Sequence, residues 1–296
     1  MKNSLNIKIP TVKPSEFDDY LFAGWKAPVT NLYENFHISR IEDYKNHLKL
    51  PTPPHRRSVY FMLFITNGNV VRRKDLTKYE LGKNSCFCLS ADQITSIDSV
   101  SEDSTGFYLH FLPEIFNHPN LKIEILKDFP MFSQLNQPHF KLIDNSKIEH
   151  LFELLLHEHI NENKDILPLY LTTLLSEIRS QASTNKKTKQ DASSLVTHKY
   201  KNALSEYIYT KKSVAEYADY LSVTPNHLLK CVKNATGKTA HDLLDEMRIL
   251  EAKVLLKQTA KSITEIAEAI GKEDPSDFSR FFKSKTGQTP KDYRKA

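Results

Sequence analysis

At 296 residues and 40% hydrophobic content the chain is long enough for two domains with cores of their own, and no apolar run reaches the roughly 18 residues of a membrane span. Cys86, Cys88 and Cys231 are an odd count without metal-ligand spacing, and the N-terminus carries lysines but no apolar signal run, so a reducing, cytoplasmic setting is expected. Residues 195–296 hold 18 Lys and Arg against 13 Asp and Glu, a surplus equal to the whole chain's +5. An anionic polymer, if one is bound, would be bound there.

Residues 1–30 are poorly patterned and contain Pro10, Pro14 and Pro28. From about 33 to 111 the sequence reads as β. Residues 59–66 (VYFMLFIT) form a buried-strand run closed by Asn67-Gly68, a hairpin signal, and shorter segments follow at 70–73, 85–89, 93–97 and 106–111. Strands this short and this closely spaced predict a small barrel or sandwich, with either a ligand cavity or a packed core inside. Residues 112–145 carry no clear pattern. Residues 148–160 are helical with Ile148, Leu151, Phe152, Leu155 and Leu156 on one side, and a second helix at about 167–182 opens with Pro168 in its first turn. This hairpin, about 146–182, either covers the β domain or offers Leu151, Phe152 and Leu155 as a dimer contact. Residues 183–195 are polar, lysine-rich and aperiodic, a linker. The expected organisation is therefore a first domain at 1–182 and a second at 196–296.

The second domain contains an internal repeat. Residues 213–237 (SVAEYADYLSVTPNHLLKCVKNATG) align with 262–287 (SITEIAEAIGKEDPSDFSRFFKSKTG), with one residue inserted in the second copy. Each opens on Ser-x-x-Glu, a capping box (Ser213/Glu216, Ser262/Glu265), and each has a mid-helix alanine, Ala218 or Ala267. Each restarts at a proline, Pro225 or Pro275, and stops at Thr-Gly. Leu228, Cys231 and Val232 answer Phe278, Phe281 and Phe282 as the buried stripe of the second helix. Lys230 and Arg280 share the outward side, as do Lys233 and Lys283. Each unit reads as a helix-turn-helix, whose second helix typically enters the major groove. Between them about 19 residues read as one helix, roughly 28 Å long at 1.5 Å per residue. That suits two recognition helices set one DNA turn, roughly 34 Å, apart.

Residues 248–271 (RILEAKVLLKQTAKSITEIAEAIG) and 274–296 (DPSDFSRFFKSKTGQTPKDYRKA) resemble the C-terminal signature of AraC/XylS-type transcription regulators. The resemblance covers about residues 198–296, with weaker similarity over 30–111. It implies an α+β chain: an N-terminal cupin-like β-barrel that senses an effector, a helical hairpin for dimerisation, and an all-α tandem helix-turn-helix domain of seven helices. The implied partners are double-stranded promoter DNA, a small-molecule effector and RNA polymerase, with the chain as a homodimer and no membrane. Carried over, the family's base-reading positions fall on Asn226, Leu229 and Lys230 in the first unit and on Ser276, Asp277 and Arg280 in the second. Chemistry agrees for several of them. Arg280 suits guanine, Asn226 adenine, Asp277 the cytosine amino group and Leu229 a thymine methyl. Lys233 and Lys283 are expected on phosphates, which position but do not specify. One departure stands out: Lys272 follows the turn glycine where the family has an aromatic and the first unit has Val223. A lysine there either snorkels its charge out, where it could meet a phosphate, or loosens the turn; the expectation is a second unit less rigid without DNA, so that Lys272→Phe would raise the melting temperature.

No enzyme is expected. His55-Arg56-Arg57 lacks the His-x-His and glutamate of a metal-binding cupin, and His157 and His159 face different ways on their helix. Seven glycines leave little room for a phosphate loop, and Cys86 and Cys88 do not make the four-cysteine zinc site of a methyl-accepting repair protein. No cofactor or metal is called for. Candidate effector contacts are His55, Arg57, Tyr60, Phe64, Phe87 and His110. The function expected is an effector-responsive, sequence-specific transcription regulator. The alternative is a constitutive regulator whose β domain only associates with itself or another protein.

Overall fold

A computed structural model describes residues 11–22, 25–26, 30–119, 121–133, 136–143, 145–182 and 192–295. Most of the expected linker lies outside them, and helix is already present at Ala192. Contacts divide the chain into two compact units, one of Val12–Thr52 with Arg56–Lys187 and one made chiefly of Thr188–Ala296.

The first unit contains the short helix α1 (Phe17–Leu21), then β1 (Phe36–Arg40), α2 (Ile41–Tyr44), β2 (His55–Arg56), β3 (Tyr60–Asn67), β4 (Val70–Lys74), β5 (Thr77–Leu81), β6 (Ser85–Leu89), β7 (Ile94–Val100) and β8 (Thr105–Phe111). A short α3 (Ile125–Asp128), the strand β9 (His139–Lys141) and two long helices, α4 (Ser146–Ile160) and α5 (Leu167–Ala182), complete it. The strands form two antiparallel sheets, β1-β8-β3-β6-β9 and β2-β7-β4-β5. β3 is central and is buried on both faces, which is why its sequence shows no polar alternation. Phe61, Leu63 and Ile65 point into a core shared with Val70, Leu81 and Ile97 of the smaller sheet. Met62 and Phe64, on the opposite face, pack into the helical hairpin.

That second core corrects the placing of a dimer contact on Leu151, Phe152 and Leu155. Phe152 is stacked against Phe64, 5.4 Å away, and Phe107, 4.8 Å away. Leu151 and Leu155 are buried beside it. All three belong to the unit's own core and are not free to meet a second chain. The hairpin covers the sheet.

The second unit consists of α6 (Ala192–Tyr207), α7 (Val214–Tyr220), α8 (Pro225–Thr236), α9 (Ala240–Gln258), α10 (Ile263–Ala269), α11 (Pro275–Thr286) and α12 (Pro290–Lys295). The two repeats are α7–α8 and α10–α11, held on α9. Ala218 and Ala267 are fully buried. Ser262 and Glu265 form the reciprocal capping box. In the first copy only half of it is made: Ser213 accepts from the Glu216 amide, while the Glu216 carboxylate accepts from the Lys212 amide, one residue earlier. α8 and α11 both end at a left-handed glycine, Gly237 at φ 73° and Gly287 at φ 79°. At the tight turn the copies differ, with Ser222 at φ 55° and Gly271 at φ 78°. A Cβ on Gly271 would also lie 2.6 Å from Cδ of Lys212, whose Nζ is tied to the Ala269 carbonyl at 3.0 Å. Gly271→Ala is therefore expected to destabilise this unit by about 1–2 kcal/mol, read as a lower midpoint in urea with an unchanged slope. The closing motif secures α9: Arg294 Nε donates to the Leu256 carbonyl at 3.2 Å, and Tyr293 packs edge-on against Phe282.

Candidate nucleic-acid interface and ligand cavity

α8 and α11 are built alike from the cap inward. Thr224 Oγ1 accepts from the His227 amide at 3.2 Å, and Asp274 Oδ1 accepts from the Asp277 amide at 3.1 Å. A proline follows each cap, where a missing N–H costs nothing. Leu228, Cys231 and Val232 are buried on one helix, and Phe278 and Phe282 on the other. The outward sides are thereby fixed. Asn226, Lys230 and Lys233 are exposed on α8, with Leu229 half-buried; Ser276, Asp277, Arg280 and Lys283 are exposed on α11. Each helix thus presents its predicted set on one open face.

Three of these groups already have partners. Arg280 pairs with Asp277 one turn earlier, the two side chains being 79% and 62% exposed. Lys233 Nζ donates to the Gly237 carbonyl at 2.8 Å, capping its own helix. Exposed pairs of this kind contribute at most about 1 kcal/mol, so either side chain can be exchanged for a DNA contact at small cost.

The two helix-turn-helix units are joined by a bracket that the sequence pattern did not reveal. Arg248 on α9 donates to the Ile270 carbonyl at 3.2 Å, in the second turn, and to the Lys212 carbonyl at 2.7 Å, ahead of the first unit. It also pairs with Asp245 at 3.1 Å. One guanidinium thus ties both units to α9, and its planar fork suits two carbonyls better than an ammonium would.

At Lys272 the turn closes as it does in the first copy. The Lys272 amide donates to the Ala267 carbonyl at 2.8 Å, just as the Val223 amide donates to Ala218 at 3.0 Å. Its ammonium lies 4.4 Å from the ring centroid of Phe281, which is half-buried beneath it. The lysine supplies a cation–π contact worth about 0.5–1 kcal/mol. Lys272→Ala is expected to destabilise the second unit by that modest amount, read as a lower melting temperature, and an unchanged or raised melting temperature would count against the contact.

The first unit contains a cavity of about 400 Å³ with a mouth open to solvent. Its walls are mainly aromatic and aliphatic, with Phe17, Phe22, Trp25, Tyr44, Leu48 and Ile97 among them, and two arginines, Arg57 and Arg72, reach it from the sheets. Arg57 Nη1 donates to Tyr108 Oη at 2.8 Å, Tyr108 Oη lies 3.0 Å from His110 Nδ1, and His110 Nε2 lies 2.7 Å from the Tyr33 carbonyl. Because a carbonyl can only accept, His110 carries its proton on Nε2 and Tyr108 donates to Nδ1. His37 Nδ1 and His159 Nε2 are 3.2 Å apart on the adjoining wall. Burial, the dominant cause for all three histidines, lowers their pKa values, to about 2 for His37, about 3 for His110 and about 4 for His159. All three are neutral at ordinary pH.

Of the six residues expected to meet an effector, only Arg57 lines this cavity. His110 is fully buried one layer behind the wall, where it orients Tyr108. Tyr60 stacks on Phe111, Phe64 on Phe152, and Phe87 lies in the core between the sheets. His55 is fully buried, with Nδ1 2.9 Å from the Pro53 carbonyl. The missed residues come from the unpatterned N-terminal stretch, from β1 and α2, from Arg72, Ile97 and Tyr108 on later strands, and from the end of α4. A signal for Arg72 did exist: with Val70 inward after the Asn67-Gly68 hairpin, a period of two puts Arg72 inward as well.

Residues 217–296 match the family model of a helix-turn-helix domain. YisR of Bacillus subtilis, described as an uncharacterized HTH-type transcriptional regulator, is 24% identical over 249 residues, 80% of this chain and 86% of YisR. AdaA of the same organism, a bifunctional transcriptional activator and DNA repair enzyme, is 36% identical over 95 residues, 31% of this chain and 45% of AdaA. Among solved structures, ToxT from Vibrio cholerae aligns over 88% of this chain and 98% of its own at 19% identity, with a TM-score of 0.41. The C-terminal unit is an AraC-type helix-turn-helix domain. In this AraC-type domain α8 and α11 are the second helices of the two helix-turn-helix units, and Arg248 on α9 is hydrogen-bonded to a backbone carbonyl of the second unit and to the Lys212 carbonyl just ahead of the first.

Proposed function

We propose that the chain is an effector-responsive, sequence-specific DNA-binding transcription regulator that works in the cytoplasm without enzymatic activity. The observation that carries this reading is the matched construction of α8 and α11, cap for cap and stop for stop, on one central helix. Arg280 and Lys230 read guanine, Asn226 adenine, Asp277 cytosine and Leu229 a thymine methyl, with Ser276 beside them and Lys233 and Lys283 on phosphates. The cavity in the first unit is the effector site, and its presence favours this reading over a constitutive regulator whose β domain binds nothing. No described helix is long and apolar enough to cross a membrane. Cys86 and Cys88 are buried with their sulfurs 3.8 Å apart, and burial holds the Cys88 thiol well above its ordinary value. A thiol so placed is a poor nucleophile, which supports a non-enzymatic role. Footprinting of the full chain on a target selected from random duplexes tests the DNA reading. Protection of two successive major grooves on one face is expected. Protection of a single groove would reduce the chain to one working helix-turn-helix unit, and no selected target at all would overturn the reading.

A further inference from the structure

The cavity carries a charge that nothing around it answers. Arg72 is 2% exposed and on the cavity wall. Its Nε has no hydrogen-bond partner, and its Nη2 reaches Thr95 Oγ1 only at a long 3.4 Å. Its guanidinium carbon otherwise lies over the rings of Phe61, at 4.8 Å, and Phe87, at 5.8 Å. Arg57, 4% exposed, approaches the same space across the faces of Phe17, Phe61 and Tyr108. Among the described residues no carboxylate pairs with Arg72; Asp43, the one acid on the cavity wall, is itself exposed to solvent. Burial first, and then the neighbouring Arg57, depress the Arg72 pKa to about 9.

A buried charge is retained at a cost to stability unless a partner of opposite sign completes it. Here the partner has to be small, because about 400 Å³ lies within the usual span of small-molecule sites. It has to be anionic at one end to meet two guanidinium groups, and apolar along the rest to meet aromatic walls. A carboxylate matches the planar forks of two arginines with its two oxygens. A phosphate would bring a third oxygen and a second charge to walls that are otherwise mainly hydrocarbon. We propose that the cavity binds an amphipathic monocarboxylate, its carboxylate seated on Arg72 and Arg57 and its apolar body against Phe17, Phe22, Trp25 and Tyr44. This names the ligand class of the effector site and rests on the reading of the first unit as a sensing domain. Leu156 and His159 of α4 line the same cavity, so the ligand touches sheet and hairpin together.

Calorimetric titration of the full chain with 4-phenylbutyrate and with octanoate, against 4-phenylbutyramide and octanamide, tests the assignment. The acids are expected to bind and to raise the melting temperature, and the amides to bind at least about thirtyfold more weakly, as expected when one partner of a buried charge pair is removed. Arg72→Met is expected to weaken the acids by a similar factor while raising the melting temperature of the unliganded chain. Equal binding of acids and amides, no binding of either acid at millimolar concentration, or unchanged acid affinity in Arg72→Met would each overturn the proposal. Should Arg72→Met not fold, the acid-against-amide comparison on the unaltered chain decides alone. A mobility-shift titration on the selected DNA target separates this proposal from the reading beneath it. Acids that bind without changing DNA affinity leave the site standing and remove its regulatory role. A neutral compound that binds and does change DNA affinity keeps the sensing role and overturns the ligand class.

Discussion

Replacing Arg280 by alanine is expected to weaken binding to the selected target by about 5- to 150-fold, the range of one bidentate guanine contact, and to relax base preference at a single position. The size of the effect follows from what Arg280 gives up on binding. Its only described partner is Asp277 on the same helix, and both side chains are well exposed, so solvent already screens that pair. Almost the whole value of the guanine contact therefore appears in the affinity. Lys283→Ala is the control with a different signature. It should weaken all sequences alike and reduce the slope of log K against log salt by about one, with base preference intact. Selection from random duplexes followed by salt titration reads both. An Arg280→Ala affinity within twofold of the unaltered chain, with the same base preference, would remove α11 from the reading helices.

Lowering the pH from 7 to 5 is expected to destabilise the first unit strongly while sparing the AraC-type domain. His37, His110 and His159 have folded pKa values well below the ordinary 6.5, chiefly because burial disfavours their charged forms. The unfolded chain therefore takes up protons first. Their neutral packing contributes in full above about pH 6.5, and the contribution drains away as pH falls toward the folded values between about 4 and 2. At 1.36 kcal/mol per unit, each group costs about 2 kcal/mol by pH 5. Even half of that summed over three histidines is a sizeable share of the 5–15 kcal/mol that holds an ordinary domain folded. Glu162, near His159, acts in the opposite direction but ranks below burial. Thermal unfolding followed between pH 7.5 and 5 should show a falling midpoint for the transition of the first unit, and His37→Phe should flatten that fall. A midpoint constant down to pH 5 would mean that the histidines are hydrated.

The tandem helix-turn-helix domain was legible from the sequence because its determinants are local. Caps, restart prolines, Thr-Gly stops and a 3.6-residue stripe each act within a few residues of where they are written, and the repeat states them twice. The outward placement of Asn226, Lys230, Ser276 and Arg280 follows from the stripe alone once Leu228 and Phe278 are buried. β3 and the helical hairpin were legible for the same reason. What the tertiary structure decided was where side chains go when a distant element supplies the neighbour. Phe152 reads as a candidate dimer contact until Phe64 and Phe107, far away in sequence, stack against it. Lys272 reads as a flaw in a turn until Phe281 is brought beneath it. The strand period turns Arg72 inward, but only the packing of the two sheets sets it against Phe61 and leaves its Nε facing no partner. Local hydrogen bonding and periodicity are properties of a segment and can be read from it. Burial is a property of the space between segments, and here it alone turned an arginine and an unpatterned N-terminal stretch into a cavity with a charge to fill.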